Sequence, residues 1–573
     1  MNSLRLAAFA AVCLFVLSAC GKDEGPETAQ GSDNPLLAYV PAGSPYLAGN
    51  LERTPSGVVD SYLQKFQPVT STLQKELEQA RITLQASPEA DEPHRKLLLA
   101  VLQELDGKLN RPGLESLGLD LEAWQVVYAM GAFPVARMSL GDAATLEATV
   151  QRILDRAGIP APRQEFEGNS FWRLAENDNV DVEPDFPLGA YIAILDDHIA
   201  FSVFPTAAEN DLLPLFLGTT LPPQGDARER LQQLTAKYGY TRYFAGLLDL
   251  QKLADEVFEP GSLFARSVGP ELASEITSMS SECKSEFREI VSHTPRMVMG
   301  STELKADAIG LQYGIETQPE IAKQLMQLVS DLPLADALSS RLLEFSFGIK
   351  VGAARDFLRE KAMAITQAPY RCEHLQTLNE RAGEGLAQLE QPMPPLVNNF
   401  RGLRLSLKQL SMEYLAPKSV DGLLALHVEQ PEMFVGMAQM FLPDLSNLKL
   451  VKGEAPVQLP ANLVPMPDTV AFAAISDNAI GISVGVDEER ELLPFLEQEA
   501  SSDGTLLSLN YDTAAYMDFT RGMDDSWQSS QAGAVGELAE SIQQAYKGIV
   551  NRSFLKVKFT ADGVVVDSRI TFK

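Results

Sequence analysis

The chain has 573 residues, 45% of them apolar and 22% charged, enough apolar side chain for more than one buried core, which excludes a mainly disordered protein. Its formal charge is −30, from 77 acidic against 47 basic residues. A surface of that sign repels phosphate backbones and anionic head groups, so nucleic acid is excluded as a partner.

Residues 1–19 open with a single arginine, Arg5, continue as "LAAFAAVCLFVL" and end in small residues before Cys20. That order is an export signal peptide, and its apolar run is too short for a stable membrane span. The tetrad Leu17-Ser18-Ala19-Cys20 resembles the lipobox of bacterial lipoproteins. The resemblance implies diacylglyceryl modification of the Cys20 thiol, cleavage just before it, and attachment to a membrane through acyl chains such as palmitate. Two or three such chains anchor stably, where one binds only marginally. In Gram-negative lipoproteins Asp after the cysteine favours the inner membrane. Here Gly21 follows, so the resemblance implies an outer-membrane protein facing the periplasm. Residues 20–35 are the acylated cysteine and a polar run without aromatic or large aliphatic side chains, read as a flexible tether. Beyond Cys20 no apolar run reaches the ~18 residues of a membrane span.

The body begins at residue 36. Tyr62, Phe66, Leu73, Leu77 and Leu84 recur at helical spacing and predict a helix within 56–86. "VARMSLGDAATLEATVQRIL" at 135–154 predicts a strand entering a helix. The acidic stretch "ENDNVDVEPD" at 176–185 lacks the central glycine and terminal glutamate of a calcium-binding EF-hand loop and reads as a solvated loop. "AYIAILDDHIAFSVFPTAAENDLLPLFL" at 190–217 alternates around Asp196-Asp197, predicting a hairpin and then a short helix. Further on, "ELKADAIGLQYGIET" predicts a hairpin turned at Ala306-Asp307.

The same series returns in the second half. "AFAAISDNAIGISVGVDEERELLPFL" at 471–496 matches the 190–217 segment, with Asp477 on Asp196, Ser483 on Ser202 and Leu492-Leu493-Pro494 on Leu212-Leu213-Pro214. "LLALHVEQPEMFVGMAQMF" at 423–441 parallels 135–154, and "KFTADGVVVDSRITF" parallels the Ala-Asp hairpin. "EFSFGIKVGAARDFLREKAMAI" parallels "SPYLAGNLERTPSGVVDSYLQKF" at the front. The shared order predicts a tandem duplication of two α+β halves, 36–330 and 331–573, with antiparallel sheets and packed helices. The strand-helix pattern also resembles a family of large exported bacterial proteins of unknown function, a resemblance that implies an address and no activity.

With Cys13 in the signal and Cys20 acylated, Cys283 and Cys372 are left, and in an oxidising compartment they suggest a disulfide bridging the halves. Such a bond would stabilise by about 4–5 kcal/mol in the chain-entropy account. Two free thiols are the alternative. Cys372 with His374 makes a metal pair without further ligands nearby.

Candidate catalytic patterns are fragmentary. Gly481-Ile482-Ser483-Val484-Gly485 fits a nucleophile elbow, but no histidine follows His427 to act as base, and the alternation puts Ser483 inside a strand. Ser281-Glu282-Cys283-Lys284 and Ser476-Asp477-Asn478 fit two serine β-lactamase signatures, while the third, Lys-Thr-Gly, does not occur. His94, His198, His293, His374 and His427 are scattered, with no pair at helical metal-binding spacing. No residue is assigned to catalysis, metal or cofactor binding. The sequence therefore predicts a lipid-anchored, non-enzymatic binding or assembly module with an envelope protein as partner. A carrier of a small apolar ligand is the alternative, and action on an envelope polymer comes third.

Overall fold

The computed structural model describes residues 33–71, 93–158, 163–173, 188–223, 225–268, 270–335, 339–413, 416–464, 469–517 and 546–573. Cys20 with its lipobox, the tether to residue 32, residues 72–86 of the expected helix and the acidic stretch 176–185 lie outside the described residues. The chain forms two compact units, Met1–Tyr313 with Gly533–Ile549, and Gly314–Ala532 with Val550–Lys573. The division falls inside a strand rather than near residue 330. A sequence repeat marks where a copy begins, whereas compactness follows which segments pack together.

The first unit holds β1 (Tyr46–Gly49), β2 (Gln125–Met130), β3 (Phe133–Ser139), β4 (Gln164–Phe166), β5 (Asn169–Arg173), β6 (Leu188–Ile194), β7 (His198–Pro205), β8 (Ala245–Asp249) and β9 (Arg296–Lys305), and shares β10 (Ala308–Glu316) with the division. Its sheet runs β5-β6-β7-β3-β2-β1-β8-β9-β10, and β4 makes a separate ladder with β5. Three of its helices matter here: α1 (Ser56–Lys65), α2 (Ala143–Ala157) and α3 (Glu209–Leu217). In α2 the Asp142 side chain accepts from Thr145 N, and Gly158 ends the helix at φ 62°, so both ends are closed locally. Tyr62 of α1 donates from its hydroxyl to Lys305 O at 2.6 Å, tying that helix to β9.

The second unit holds β11 (Leu343–Gly348), β12 (Phe400–Glu413), β13 (Ala416–Val428), β14 (Val457–Gln458), β15 (Ala471–Ile475), β16 (Ala479–Val484), β17 (Thr505–Asp512), β18 (Val550–Thr560) and β19 (Gly563–Phe572). Its order is β14-β15-β16-β13-β12-β11-β17-β18-β19. Helices α4 (Val351–Gln367) and α5 (Gln376–Leu389) pack as a pair, and α6 (Pro431–Phe441) and α7 (Glu489–Leu496) follow β13 and β16. The fold is mixed α+β, with antiparallel pairing in each described ladder of both units. The two hairpins expected from Asp-centred alternation are β6–β7 and β15–β16, each followed by its Leu-Leu-Pro helix.

In each unit that helix packs on one face of the sheet beside its hairpin. In the first unit Phe216 of α3 meets Phe204 and Tyr191 edge-on at 6.0 and 6.3 Å, and those two rings stack at 3.9 Å. In the second, α7 lies so close that a Cβ on Gly481 would stand 2.7 Å from a Leu496 methyl carbon. That approach accounts for the first glycine of the Gly-x-Ser-x-Gly pattern. Gly485, at φ 105°, accounts for the last by turning the chain out of β16. Truncating Phe216 to alanine should cost about 3–5 kcal/mol, because the rings around it cannot collapse into the space. A denaturant midpoint unchanged in Phe216→Ala would contradict this packing.

Candidate functional site

Each unit buries an arginine under the C-terminal end of the helix on its sheet. In the first unit, Arg137 of β3 stands opposite Ala200 of β7, whose small side chain leaves room for the guanidinium. Its Nε donates to the Tyr128 hydroxyl at 3.1 Å, Nη1 meets His198 Nε2 at 2.7 Å, and Nη2 donates to Phe216 O at 2.7 Å and Leu215 O at 3.3 Å. The Tyr39 ring covers it at 4.0 Å. The carbonyl end of a helix carries partial negative charge, so these contacts offset a buried cation without a carboxylate.

The second unit repeats the arrangement one strand over. Arg404, 3% exposed, lies on β12 opposite Ala425 of β13, and its Nη1 donates to Phe495 O of α7 at 2.7 Å. Nη2 donates to the Gln498 side-chain oxygen, and the Phe495 ring lies 4.1 Å from the guanidinium carbon. In both units a histidine sits two residues along the strand that carries the facing alanine: His198 before Ala200, His427 after Ala425. Burial, then the neighbouring arginine, pushes each ring's pKa down to about 4. The Asp197 carboxylate opposes this at His198, 2.6 Å from Nδ1. His427 Nε2 is buried without a hydrogen-bond partner.

The two sites close differently. Beside Arg404 lies a small recess of about 20 Å³, lined by Glu344, Ser406, Gln498, Phe495, Leu334 and Ala335 among others. Ser406 donates to Glu344 Oε1 at 3.3 Å from directly across the β11–β12 ladder. The polar band continues through buried Ser346, which donates to Pro333 O at 2.8 Å, and Ser508, which accepts from Ala335 N at 2.9 Å. Burial pulls the Arg404 pKa down to about 10, against the opposing charge of Glu344.

On the other face of that sheet the pattern is inverted. Ile482, Leu424, Leu405, Phe345, Leu509 and Leu555 stand in register across six strands, and Ile480, Leu426, Leu403, Phe347, Leu507 and Val557 form a second row beside them. These apolar residues are half-buried, and Leu424 is 37% exposed, while the polar residues behind them are buried. A second apolar surface is the end of α6, where Phe441 is 79% exposed.

No family model, no curated protein and no solved structure matches the chain.

The residues singled out in the sequence fall into place one by one. Cys283 and Cys372 are disulfide-bonded and buried. Ser483 lies mid-strand in β16, 1% exposed, facing α7 with no hydrogen-bond partner, and not at a strand-to-helix turn. Ser281 and Lys284 lie in the first turn of the helix Ser281–His293, and Ser476–Asn478 form the β15–β16 turn. His374 is largely exposed, His293 ends its helix, and the His94 side chain lies outside the described residues. Among the described residues no group of three or more His, Cys, Asp or Glu is placed to hold a metal, and no helix is long and apolar enough to cross a membrane.

Arg404, Glu344 and Ser406 were not singled out in the sequence, because a strand reading Arg404-Leu405-Ser406-Leu407-Lys408 suggests a solvated polar face. A usable signal was available. Ser32-Asp33-Asn34-Pro35-Leu36-Leu37 and Ser330-Asp331-Leu332-Pro333-Leu334-Ala335 are alike, and their difference falls at the recess.

The histidines make stability fall with acid. Their folded pKa values lie below the ordinary 6.5, so between about pH 6.5 and 4 the unfolded chain binds protons that the native chain does not. Each ring should contribute up to about 3 kcal/mol of stability above this window, lost as pH falls through it. Urea midpoints at about pH 7 and 4.5 should differ less in His427→Asn than in the parent. An unchanged difference would show that the ring is not held neutral.

Proposed function

We propose that the chain is a lipid-anchored protein of the bacterial envelope, held through acylated Cys20 at the periplasmic side of the outer membrane. We propose further that its body is a non-enzymatic binding or assembly module built by tandem duplication. The shared strand order of the two units, with a hairpin and Leu-Leu-Pro helix at the same place in each, supports the duplication.

One observation carries the binding role: the double apolar row across β16, β13, β12, β11, β17 and β18. Six strands at about 4.8 Å spacing give a strip roughly 25 Å long. A partner helix of about 17 residues spans that length. Each Leu or Phe whose burial such a helix completed would add part of the roughly 1.5–3 kcal/mol that full burial contributes. Contiguous apolar patches of this kind are rare on monomers without a binding role. The occupant fitted best is the apolar face of an envelope protein. The same proportions, long and narrow, favour a second reading in which the strip holds the hydrocarbon chain of a carried ligand.

A photoreactive side chain at position 424 in the native envelope separates these readings. A discrete protein adduct, absent when the probe replaces exposed Leu221, is the expected result. A lipid-mass adduct would shift the reading to a carrier, and no adduct at all would remove both. Intact-mass analysis should show acyl chains on Cys20, and Cys20→Ser should release the protein from the membrane fraction. Retention of that variant would overturn the anchor.

A further inference from the structure

The end of α6 carries apolar side chains into solvent, and the chain around it holds them there. Met440, Phe441 and Leu442 are consecutive and 80%, 79% and 47% exposed. Leu442 N donates to Ala438 O at 2.8 Å, which closes the helix, and Leu445 N donates to Leu442 O at 2.9 Å as the chain reverses. The returning segment is tied back to α6 at both ends: Gln439 Nε2 donates to Leu448 O at 2.7 Å, and Lys452 Nζ meets Glu432 Oε1 at 2.8 Å. Asn462 Nδ2 donates to Asp444 Oδ2 at 2.6 Å and fixes the reversal from a third segment. Three large apolar side chains thus stand at a braced tip.

Their directions and the local charge say what covers them. Successive helical residues point about 100° apart, so Met440 and Phe441 face different sides, and Leu442 leaves the helix with an extended backbone. A helix face that docks on a protein has its apolar residues three or four apart, on one side. An apolar medium that surrounds the tip takes up all three side chains at once, as the acyl region of a bilayer does. The charge points the same way. The whole chain carries −30, yet Met433 to Pro443 contains no charged residue, and past Asp444 the next charges are Lys449 and Lys452. Lys449 is exposed and has no ion-pair partner among the described residues. A lysine bordering an inserted apolar segment meets the phosphates of lipid head groups.

We propose that the end of α6 dips into a phospholipid surface, with Met440, Phe441 and Leu442 among the upper acyl chains and Lys449 at the phosphates. Residues 20–32 span at most about 45 Å between Cys20 and Asp33, so the acyl anchor proposed above would keep the body beside such a surface, where even a weak contact is populated. That setting rests on the anchor. The partitioning does not, and it is tested without it.

The mature chain, residues 20–573 with Cys20→Ser, is mixed with vesicles of phosphatidylethanolamine and a minor share of phosphatidylglycerol, and binding is read by flotation. Half of it should bind near about 1 mM lipid, weaker than a single myristoyl chain would give. Met440→Ser with Phe441→Ser should raise that lipid concentration at least about tenfold, and Lys449→Gln about fivefold. Val486→Ser, at a residue 76% exposed elsewhere in the same unit, should leave it unchanged. In Phe441→Trp the added fluorescence should be quenched by lipids brominated on their acyl chains. No binding up to about 10 mM lipid, equal binding by the serine pair, or no quenching in Phe441→Trp would each overturn the proposal. Self-association abolished by the serine pair, without vesicle binding, would assign the tip to a second copy of the chain and overturn it as well. Failure of the anchor shows instead as an unacylated mass at Cys20, which flotation of this variant does not read.

Discussion

A charged side chain placed where water cannot reach must find its compensation within the fold, and in each unit that need is met by the carbonyl end of the helix lying on the sheet. Arg137 reaches Leu215 and Phe216 of α3, and Arg404 reaches Phe495 of α7. The helix is thereby fixed along its axis as well as pressed onto the sheet by Leu212 and Phe216 or by Leu492 and Leu496. An alanine opposite each arginine, and a histidine kept neutral beside it, follow from the same constraint, since a larger residue or a second cation would not be tolerated there.

The arginine occupies β3 in one unit and β12, the counterpart of β2, in the other. The guanidinium is long enough to reach one helix end from either of two adjacent strands, so what is kept is the contact and not the position. The interiors diverge around it. In the first unit the β1–β8 ladder pairs Leu47 with Leu247 within the apolar core, whereas the corresponding β11–β17 contact pairs Ser346 with Ser508. The two buried hydroxyls bond to the segment Pro333–Ala335, where leucines could offer no hydrogen bond.

The same sheet of the second unit leaves its apolar side only half-buried. An antiparallel sheet commonly buries the apolar face and solvates the polar one. Here Ser346, Arg404, Ser406, Ser508 and Asn510 are buried on one face, where Arg404 reaches α7 and Ser346 and Ser508 bond to the segment Pro333–Ala335, and Phe345, Phe347, Leu403, Leu405, Leu507 and Leu509 occupy the half-buried side. A partner that completed the burial of the half-buried face would add to stability, which is the physical basis for proposing this sheet as a binding surface.

What the residues determined alone were the features set by local chemistry: the strand alternation, the Asp-centred turns of both hairpins, the Leu-Leu-Pro helices, and the mixed α+β class. Each depends on a few neighbours in the chain, so its cause can be read in a short window. The tertiary structure decided which face of each strand is inside. Period-two alternation states that Arg404 and Ser406 share a face and Leu403 and Leu405 the other, but is silent on which face α7 covers. That choice depends on residues 91 and 94 positions away, because Phe495 and Gln498 must supply the acceptors that make burial of Arg404 possible. Ser483, which a motif made conspicuous, is packed against α7 by the same choice, and Glu344, which no motif marks, is brought to the recess.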